Sequence, residues 1–223
     1  MFDFDAASDS LPRRIREGLD RLSLVLRSEH WAAAGALGLS PTQLQVLWIL
    51  AGRDSPLPVK DIARHLGVTQ PTATDSIRAL ADKMLVGRST STKDARSTLV
   101  TLTEAGRQTL KAAGAGLSLT EAAVAALDQK QQEILFVTLM SLIRTLLHRG
   151  AIPAQRMCVM CRHFRPFAHS GSDTPHHCAF VDAAFGTRHL RIDCRDHEPA
   201  DPACQAATWQ AFFGAPGNLQ ASN

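Results

Sequence analysis

Two amphipathic stretches joined by a tight turn constrain the fold of this chain more than any other feature of its sequence. Residues 56–68 carry apolar side chains at three- and four-residue spacing and reach Gly67, a residue that readily closes a helix. Residues 69–84 repeat that spacing, with Pro71 in the first turn, where a helix tolerates proline. Because only a tight turn separates them, the two helices must pack across each other, and the pattern predicts a helix–turn–helix unit.

The second helix of this unit has an outward face that suits DNA. Its N-terminal half exposes small polar side chains, which allow a helix to enter a major groove, and its free N–H groups favour phosphate. Asp75 lies on the same face, where it would accept a hydrogen bond from a cytosine amino group or hold Arg78 in place. By itself, this pattern fits an ordinary amphipathic surface helix equally well, and the residues that follow the helix decide between the two. The predicted DNA contacts of this helix are Thr69, Gln70, Thr72, Thr74 and Arg78.

A β-hairpin is predicted directly after the second helix. The runs "LVGRS" and "STLVTLT" have the β-branched alternation of strands, and the polar turn "TSTKDAR" separates them. Arg88, Lys93 and Arg96 fall on or beside this turn, where long cations reach a DNA backbone or a minor groove. Residues 51–100 hold eight Lys and Arg against five Asp and Glu, a net charge of +3 that favours a polyanionic partner. The order of helices and hairpin predicts a winged helix.

The block from residue 66 to residue 106 resembles the MarR family of winged-helix transcriptional regulators, and the resemblance extends over about residues 10–150. It implies a mainly α fold: a winged helix-turn-helix with flanking dimerisation helices, in a homodimer that reads a palindromic operator in double-stranded DNA. It also implies that Asp94 and Arg96 shape the wing and that Arg96 meets the minor groove. The residues that carry the resemblance are Val68-Thr69-Gln70-Pro71-Thr72, Gly87-Arg88, Asp94-x-Arg96 and Leu102-Thr103-x-x-Gly106.

Helical patterns flank the predicted winged helix on both sides. A first helix is predicted over residues 11–34, and a second begins at Ser40 and Pro41 and closes at Gly52. Residues 104–127 have a helical pattern throughout, and a last long helix starts at residue 128. The last helix has a stripe of apolar residues wide enough for a core or a dimer seam: Ile134, Leu135, Leu139, Leu142, Ile143 and Leu146.

The composition changes sharply after residue 150. All five cysteines and six of the nine histidines lie there, and the histidines are expected to be mainly solvated loop residues. Residues 151–204 hold too little apolar material to support a core unaided, so a covalent or metal staple is expected. We therefore predict a domain of residues 1–150, a small irregular metal-binding extension of residues 151–204, and a short helix with a disordered tail over residues 205–223.

The cysteine spacing predicts a metal site on Cys158, Cys161, Cys178 and Cys194, with Cys204 left over. An odd number of cysteines argues against a disulfide framework. A thioredoxin-like dithiol is disfavoured because no βαβ pattern surrounds the Cys-x-x-Cys pair. The pair together with two later single cysteines is the pattern that four-thiolate metal sites require.

Iron and zinc both fit this pattern. The segment resembles the cluster-binding end of high-potential iron–sulfur proteins, with an aromatic residue, Phe164, three positions after the close pair, and this resemblance implies a [4Fe–4S] cluster. It departs from them at Cys194, which Asp193 and His197 flank where an aromatic residue is expected. Zinc stays open as the alternative, with Cys194 and His197 in place of a second Cys-x-x-Cys pair.

The sequence as a whole predicts a cytoplasmic regulator rather than an enzyme. The N-terminus is acidic and lacks the apolar region of a secretion signal, and the longest apolar run, residues 134–143, is too short to cross a membrane. Paired carboxylates, a Ser/His/Asp arrangement and a phosphate loop were not recognised. We expect DNA binding that the iron–sulfur cluster modulates in response to redox state, oxygen or iron. Two alternatives stay open: a structural zinc with a small organic effector near His30, Trp31 and Trp48, and an electron-transfer protein on a winged-helix scaffold.

Overall fold

The computed structural model describes residues 9–92, 94, 96–114 and 118–214, and its first two thirds are mainly helical. The winged-helix pattern and its flanking helices are present, but the helix predicted over residues 104–127 is divided into two. None of the helices in these described stretches combines the length and the apolar character that crossing a membrane requires. The helices are α1 (Leu11–Ala36), α2 (Pro41–Ala51), α3 (Val59–Leu66), α4 (Gln70–Asp82), α5 (Glu104–Ala113), α6 (Leu119–Ala125) and α7 (Gln129–His148).

Side-chain caps set the helix starts that the sequence predicted. The Ser40 hydroxyl accepts a hydrogen bond from the N–H of Gln43, and the Gln43 side chain accepts one from the N–H of Ser40. Asp128 and Gln131 cap α7 in the same manner, and at the start of α4 the Thr69 hydroxyl accepts a hydrogen bond from the Thr72 N–H. These caps bind N–H groups that have no partner within the helix, which fixes where each helix begins. Gly67 ends α3 in the left-handed conformation, with φ of 66°, which glycine adopts without strain.

A three-stranded antiparallel sheet completes the winged helix. The predicted hairpin is present as β2 (Val86–Thr90) and β3 (Thr98–Leu102), and a short strand β1 (Leu57–Pro58) pairs with the other edge of β3. The helix predicted over residues 56–68 is wrong at residues 57 and 58, which form this strand. Proline disfavours the helical conformation of the residue before it, so the chain stays extended through Pro58 and the helix begins at Val59.

An aliphatic core holds the winged helix together. Side chains from α2, α3, α4 and the sheet meet there, and α5 closes one side. Gly106 permits this closure because a Cβ at that position would overlap the carbonyl oxygen of Leu85. The most deeply buried side chains of this core are Leu44, Leu47, Ile62, Ile77, Leu80 and Val100.

The cysteine segment folds as a second, smaller unit against α7. Its strands are β4 (Phe164–Arg165), β5 (His176–Cys178) and β6 (Ala183–Phe185), paired antiparallel in that order. Two single 3₁₀ turns, Cys158–Met160 and Thr187–His189, flank the sheet. A last helix, α8 (Pro202–Phe213), begins after Asp201, whose side chain accepts a hydrogen bond from the Cys204 N–H. The predicted disordered tail lies outside the described residues.

The second unit has a core, which it shares with its neighbouring helices. Met157, Val159 and Phe164 pack with Phe212 of α8 and with two residues of α7, Val137 and Met140. The sequence analysis counted only the apolar residues within the segment, whereas helices on both sides supply the rest. On α7 the predicted stripe therefore divides: one part faces this core, and Leu135, Leu142 and Leu146 stay exposed.

His176 lies at the centre of this second core and corrects the expectation that the histidines are solvated. It is fully buried, and burial lowers its pKa to about 4, so the ring is neutral. The Phe167 N–H donates to its Nδ1 at 3.3 Å, and its Nε2 lies 3.2 Å from the Thr187 hydroxyl. Both ring nitrogens are thus satisfied, which is what a buried histidine among phenylalanines requires.

Candidate nucleic-acid interface and a four-cysteine cavity

The predicted DNA-contacting residues of α4 lie together on its exposed first turns. Thr69 and Thr72 are exposed, but their hydroxyls are 2.8 Å apart and the Thr69 hydroxyl also accepts from the Thr72 N–H. These two side chains therefore help to cap the N-terminus of α4 and also form part of its exposed surface. The Thr74 hydroxyl donates to the backbone carbonyl of Gln70 at 2.8 Å. The Gln70 side chain takes no part in this bond and is exposed.

Arg78 forms an ion pair with Asp75 one turn earlier on the same face of α4. The Arg78 Nη1 lies 3.2 Å from Asp75 Oδ1, and both side chains are exposed. Of the two roles predicted for Asp75, the structure shows the one in which it holds Arg78. An exposed pair of this kind adds little stability, so its main effect is to orient the guanidinium.

A groove of about 160 Å³ separates α4 from the wing, and cations lie along it. Arg88 and Arg96 line it from the hairpin, opposite Gln70 and Thr74 of the helix. The Asp94 carboxylate accepts a hydrogen bond from the Arg96 N–H at 3.0 Å, in agreement with the wing-shaping pair that the resemblance implied. Lys93 lies outside the described residues.

Lys60 also lines this groove and was missed by the sequence analysis. It lies on α3, the first helix of the helix–turn–helix, and its side chain is exposed. No local pattern marked it, because Lys60 lies ten residues before Gln70 and reaches the groove only through the packing of the two helices. It adds a third described cation to the groove.

Helix α1 carries an apolar stripe that nothing in the described chain covers. Leu11, Ile15, Leu19 and Leu22 are 42–60% exposed and recur at three- and four-residue spacing. An aliphatic stripe of this length is unusual on a free surface, and it marks an interaction surface. Trp31, near the end of the same helix, is 66% exposed.

The predicted metal ligands converge on one cavity of about 160 Å³. Cys158 and Cys161 bound the first 3₁₀ turn, Cys178 ends β5, and Cys194 lies in the loop before α8. The lining includes four polar side chains, those of His163, His189, Arg191 and Asp196, and three phenylalanines form much of the apolar wall. The phenylalanines are Phe164, Phe180 and Phe185.

The cysteines of this cavity form no disulfides and lie close enough to influence one another. All five cysteines are free, and burial raises the pKa of Cys158 to about 11. The Arg191 N–H opposes this rise by donating to the Cys158 sulfur at 3.2 Å, while proximity to the other three cavity thiols adds to it. The Arg191 guanidinium also lies 3.8 Å from the Cys194 sulfur. A bound cation would replace the thiol protons, because metals bind the thiolate form.

The other candidate ligands lie elsewhere. Cys204 is on α8, and His197, the histidine considered for zinc, does not line the cavity. The His197 Nε2 is buried without a hydrogen-bond partner, and burial lowers the pKa of this ring. Within the described ranges, no three His, Cys, Asp or Glu side chains are arranged to hold one metal ion. All four of the predicted cysteine ligands line the cavity.

Comparison with known proteins supports the winged-helix assignment. Residues 39–98 match the MarR family model. Among solved structures, the chain is similar to the transcriptional repressor CouR bound to a 23-mer DNA duplex, with 23% identity and a TM-score of 0.51 over 64% of this chain and 99% of that one. It is similar as well to a MarR family regulator from Rhodococcus sp. RHA1, with 20% identity and a TM-score of 0.51 over 60% of this chain and 96% of that one. No curated protein matches the chain.

These matches confirm the winged-helix part of the predicted fold. The structure is mainly helical with small sheets, and its winged helix has the MarR-type arrangement. At such low identity, similar structures establish a shared fold and leave function to be argued from the site itself. The resemblance of the cysteine segment to high-potential iron–sulfur proteins stays a prediction.

Proposed function

We propose that this protein is a DNA-binding transcriptional regulator. The observation that carries the proposal is the groove between α4 and the wing, where Lys60, Arg88 and Arg96 lie opposite the polar turn of a recognition helix. A recognition helix reads base edges in the major groove, while cations on a wing contact phosphates or the minor groove. The match of residues 39–98 to the MarR family, and the DNA duplex bound to the similar CouR repressor, agree with this proposal.

The proposed active form is a homodimer on a palindromic operator. The exposed stripe of α1, with Leu142 and Leu146 of α7, supplies the apolar surface that a symmetric helical interface needs. Replacing Leu19 with Arg would place a charge within that stripe. We expect the wild type to have the mass of a dimer by light scattering and the Leu19→Arg variant that of a monomer. A monomeric wild type would contradict the homodimer.

The DNA proposal is tested with duplex DNA selected from a randomised pool by the wild-type protein. We expect Arg96→Ala to weaken binding by about fivefold or more if it reads the minor groove. Arg88→Ala should lower the salt dependence by about one phosphate contact. Arg13→Ala is the matched control, because Arg13 is an equally exposed arginine on α1, paired with Asp9 and far in sequence from the groove. Equal affinity of all four proteins would contradict the assignment.

We propose further that the four-cysteine cavity holds an iron–sulfur cluster, most simply [4Fe–4S]. Each of the four irons takes one thiolate, so the four sulfurs surround a volume instead of meeting at one ion. The cavity fits this demand, since about 160 Å³ is several times the space that one water molecule needs. Its apolar wall of phenylalanines limits the access of water. The four cysteines would hold the group, and it would supply a redox-active or oxygen-sensitive centre.

Zinc is the alternative occupant, and the geometry favours it less. A zinc ion binds four ligands at about 2.3 Å for sulfur, which brings the sulfurs to about 4 Å of one another. Within the described residues no three such ligands are arranged around one point, and His197, the histidine predicted as a ligand, does not line the cavity, whereas His163 and His189 do. Metal analysis separates the two directly, because zinc gives a colourless protein without sulfide.

The proposed role of the cluster is to modulate DNA binding. A group that binds one conformation better than another shifts the equilibrium between them, and a shift of the winged helix changes affinity for DNA. The test compares DNA affinity for the cluster-loaded protein, the cluster-free protein and a variant with all four cavity cysteines changed to Ser. We expect the loaded protein to differ from the other two. If all three bind alike, oxidised and reduced, then the modulation is absent.

A small organic effector stays a second prediction for the helical part. The rings of His30 and Trp48 pack edge to face with centroids 5.0 Å apart, beside the exposed Trp31. Quenching of tryptophan fluorescence by aromatic carboxylates, compared between the wild type and Trp48→Phe, would detect such a site.

A further inference from the structure

A link between the two units of the chain is made at the residue beside Cys194. Asp193 accepts a hydrogen bond from the Arg156 Nε–H at 2.6 Å, and the Arg156 Nη2–H donates to the carbonyl oxygen of Gly52, the residue that ends α2. The backbone repeats the connection, since the Cys194 N–H donates to the Arg156 carbonyl at 3.0 Å. A cavity cysteine is therefore two hydrogen bonds away from a helix of the winged-helix unit.

The residue on the other side of Cys194 makes a parallel connection. Arg195 donates to the carbonyl oxygen of Ala51 at 3.4 Å, and its Nη1 lies 3.6 Å from Asp54 Oδ1. The last turn of α2 contains no basic residue of its own. Carbonyl groups at a helix C-terminus are unpaired and attract cations. Two arginines of the cysteine segment thus cap α2 from a distant part of the sequence.

Gly52 gives independent evidence that this contact is close. A Cβ on Gly52 would lie 2.7 Å from Asp193 Oδ2 and 2.8 Å from Arg156 Nη2, closer than nonbonded atoms approach. The pair therefore packs directly on the Cα of Gly52. Any larger residue there would force the two side chains away.

The same short segment is tied to the helix–turn–helix. Arg53 donates to the Ile49 carbonyl at 2.5 Å, and its Nη2 lies 3.2 Å from the Nε2 of His65 in the last turn of α3. Burial and then the charge of Arg53 lower the pKa of His65, so the neutral ring accepts this hydrogen bond. Residues 49–54 consequently join the cysteine segment on one side to α3, the helix that precedes the recognition helix, on the other.

We infer that Arg156, Asp193 and Arg195 transmit the state of the four-cysteine cavity to the helix–turn–helix through the C-terminus of α2. This inference rests on the proposed function, and it names the route of the regulation. Occupancy of the cavity fixes Cys194 and with it the two residues that flank it. When the cavity loses its group, the Cys194 loop relaxes, the two arginines release the α2 carbonyls, and residues 51–65 gain freedom. The orientation of α3 and α4 against the wing then changes, and DNA affinity changes with it.

The test uses the full chain and the double variant Arg156→Ala/Arg195→Ala. Wild-type protein, loaded and cluster-free, is titrated against the selected duplex DNA, and the ratio of the two dissociation constants is the coupling. We expect a wild-type ratio of about 5- to 150-fold, the usual range for coupled sites, and a double-variant ratio within about twofold of unity. The matched control is Arg162→Ala, which removes an exposed arginine that pairs with Glu198 inside the cysteine segment and should keep the wild-type ratio.

Two further measurements keep the outcomes separate. Gly52→Ala disrupts the contact from the α2 side and leaves both arginines in place, so it should reduce the ratio even if the double variant fails to fold. Hydrogen–deuterium exchange of residues 49–66 should rise on cluster removal in the wild type and not change in Gly52→Ala. A wild-type ratio of one refutes the proposed modulation itself. A wild-type ratio above fivefold that both variants retain, with intact cluster absorption, overturns the route and leaves the modulation standing.

Discussion

The two units of this chain are stabilised in different ways. The winged helix has an aliphatic core that its own consecutive elements supply, from Leu44 on α2 to Val100 on β3. The cysteine unit has an aromatic core around Phe212 and His176, and two of its buried residues belong to α7, a helix of the preceding region. The first unit is closed in itself, whereas the second depends on a neighbour and encloses a cavity lined with thiols. A unit built in this way is suited to respond to what its cavity holds.

The largest expected effect comes from removing the centre of the second core. Phe212 is fully buried, with its ring centroid 5.4 Å from His176 and 5.8 Å from Phe164. Phe212→Ala should lower the free energy of unfolding of this unit by about 3–5 kcal/mol. Hydrogen exchange should then accelerate over residues 157–212 and, through the contacts of Arg156 and Arg195, over residues 49–66, but not over the rest of the winged helix. Phe180→Ala, at a half-exposed ring, is the milder control. Equal acceleration of hydrogen exchange in both units would show that they unfold as one cooperative unit.

The next substitution is in the aliphatic core of the winged helix. Leu47 is fully buried on α2, and Leu47→Ala should lower the free energy of unfolding by about 2–5 kcal/mol through lost contacts and a cavity. Urea unfolding measures the loss. Below the transition, iron content and cluster absorption should match those of the wild type, since the second core does not include this residue. If the Leu47→Ala variant also lost its metal, the two cores would not be independent of each other.

Arg191 offers an intermediate effect at the rim of the cavity. Its guanidinium lies 3.8 Å from the Cys194 sulfur, so Arg191→Ala removes a positive charge that favours the more negative, reduced cluster. The reduction potential should fall by an amount on the order of tens of millivolts, measured by redox titration of the visible spectrum. Arg188→Ala is the control, because Arg188 is exposed and does not line the cavity. A potential that rises, or that moves equally in both variants, would contradict this role.

The smallest effect is expected at the seam between the units. The Arg144 guanidinium of α7 lies 4.0 Å from the ring centroid of Trp209 on α8. Arg144→Ala should lower the stability of the second unit by about 0.5–1 kcal/mol, and Arg144→Lys by less, because a lysine keeps the cation over the ring. Urea unfolding monitored by the fluorescence of Trp209 detects the difference. Identical urea unfolding midpoints for the wild type and Arg144→Ala would show that this contact does not stabilise the packing of α8 on α7.

The winged helix could be predicted because the residues that determine its helices and strands lie close together in the sequence. The Ser40 cap, the Gly67 turn and the alternation of the hairpin each act within a few residues, and the structure confirms all three. The error at Leu57 and Pro58 arose because the apolar spacing also fits a helix, whereas Pro58 keeps the chain extended and β1 pairs there with β3.

In the cysteine unit, the sequence predicted only that four cysteines would come together. Spacing and residue type selected four cysteines, and the structure brings these four to one cavity. The buried His176 and the core shared with α7 were not foreseen, because they depend on contacts between residues far apart in the sequence. The contacts of Arg156 and Arg195 with α2 left no pattern in the sequence for the same reason.

Iron and sulfide analysis of the full chain, purified without oxygen, tests most directly whether the four-cysteine cavity holds a cluster. We predict about four iron and four sulfide per chain and a broad absorption near about 400 nm. Both should be retained by Cys204→Ser and lost when Cys158, Cys161, Cys178 and Cys194 are changed to Ser. A colourless protein with one zinc per chain, or iron that survives the loss of all four cysteines, would contradict the account.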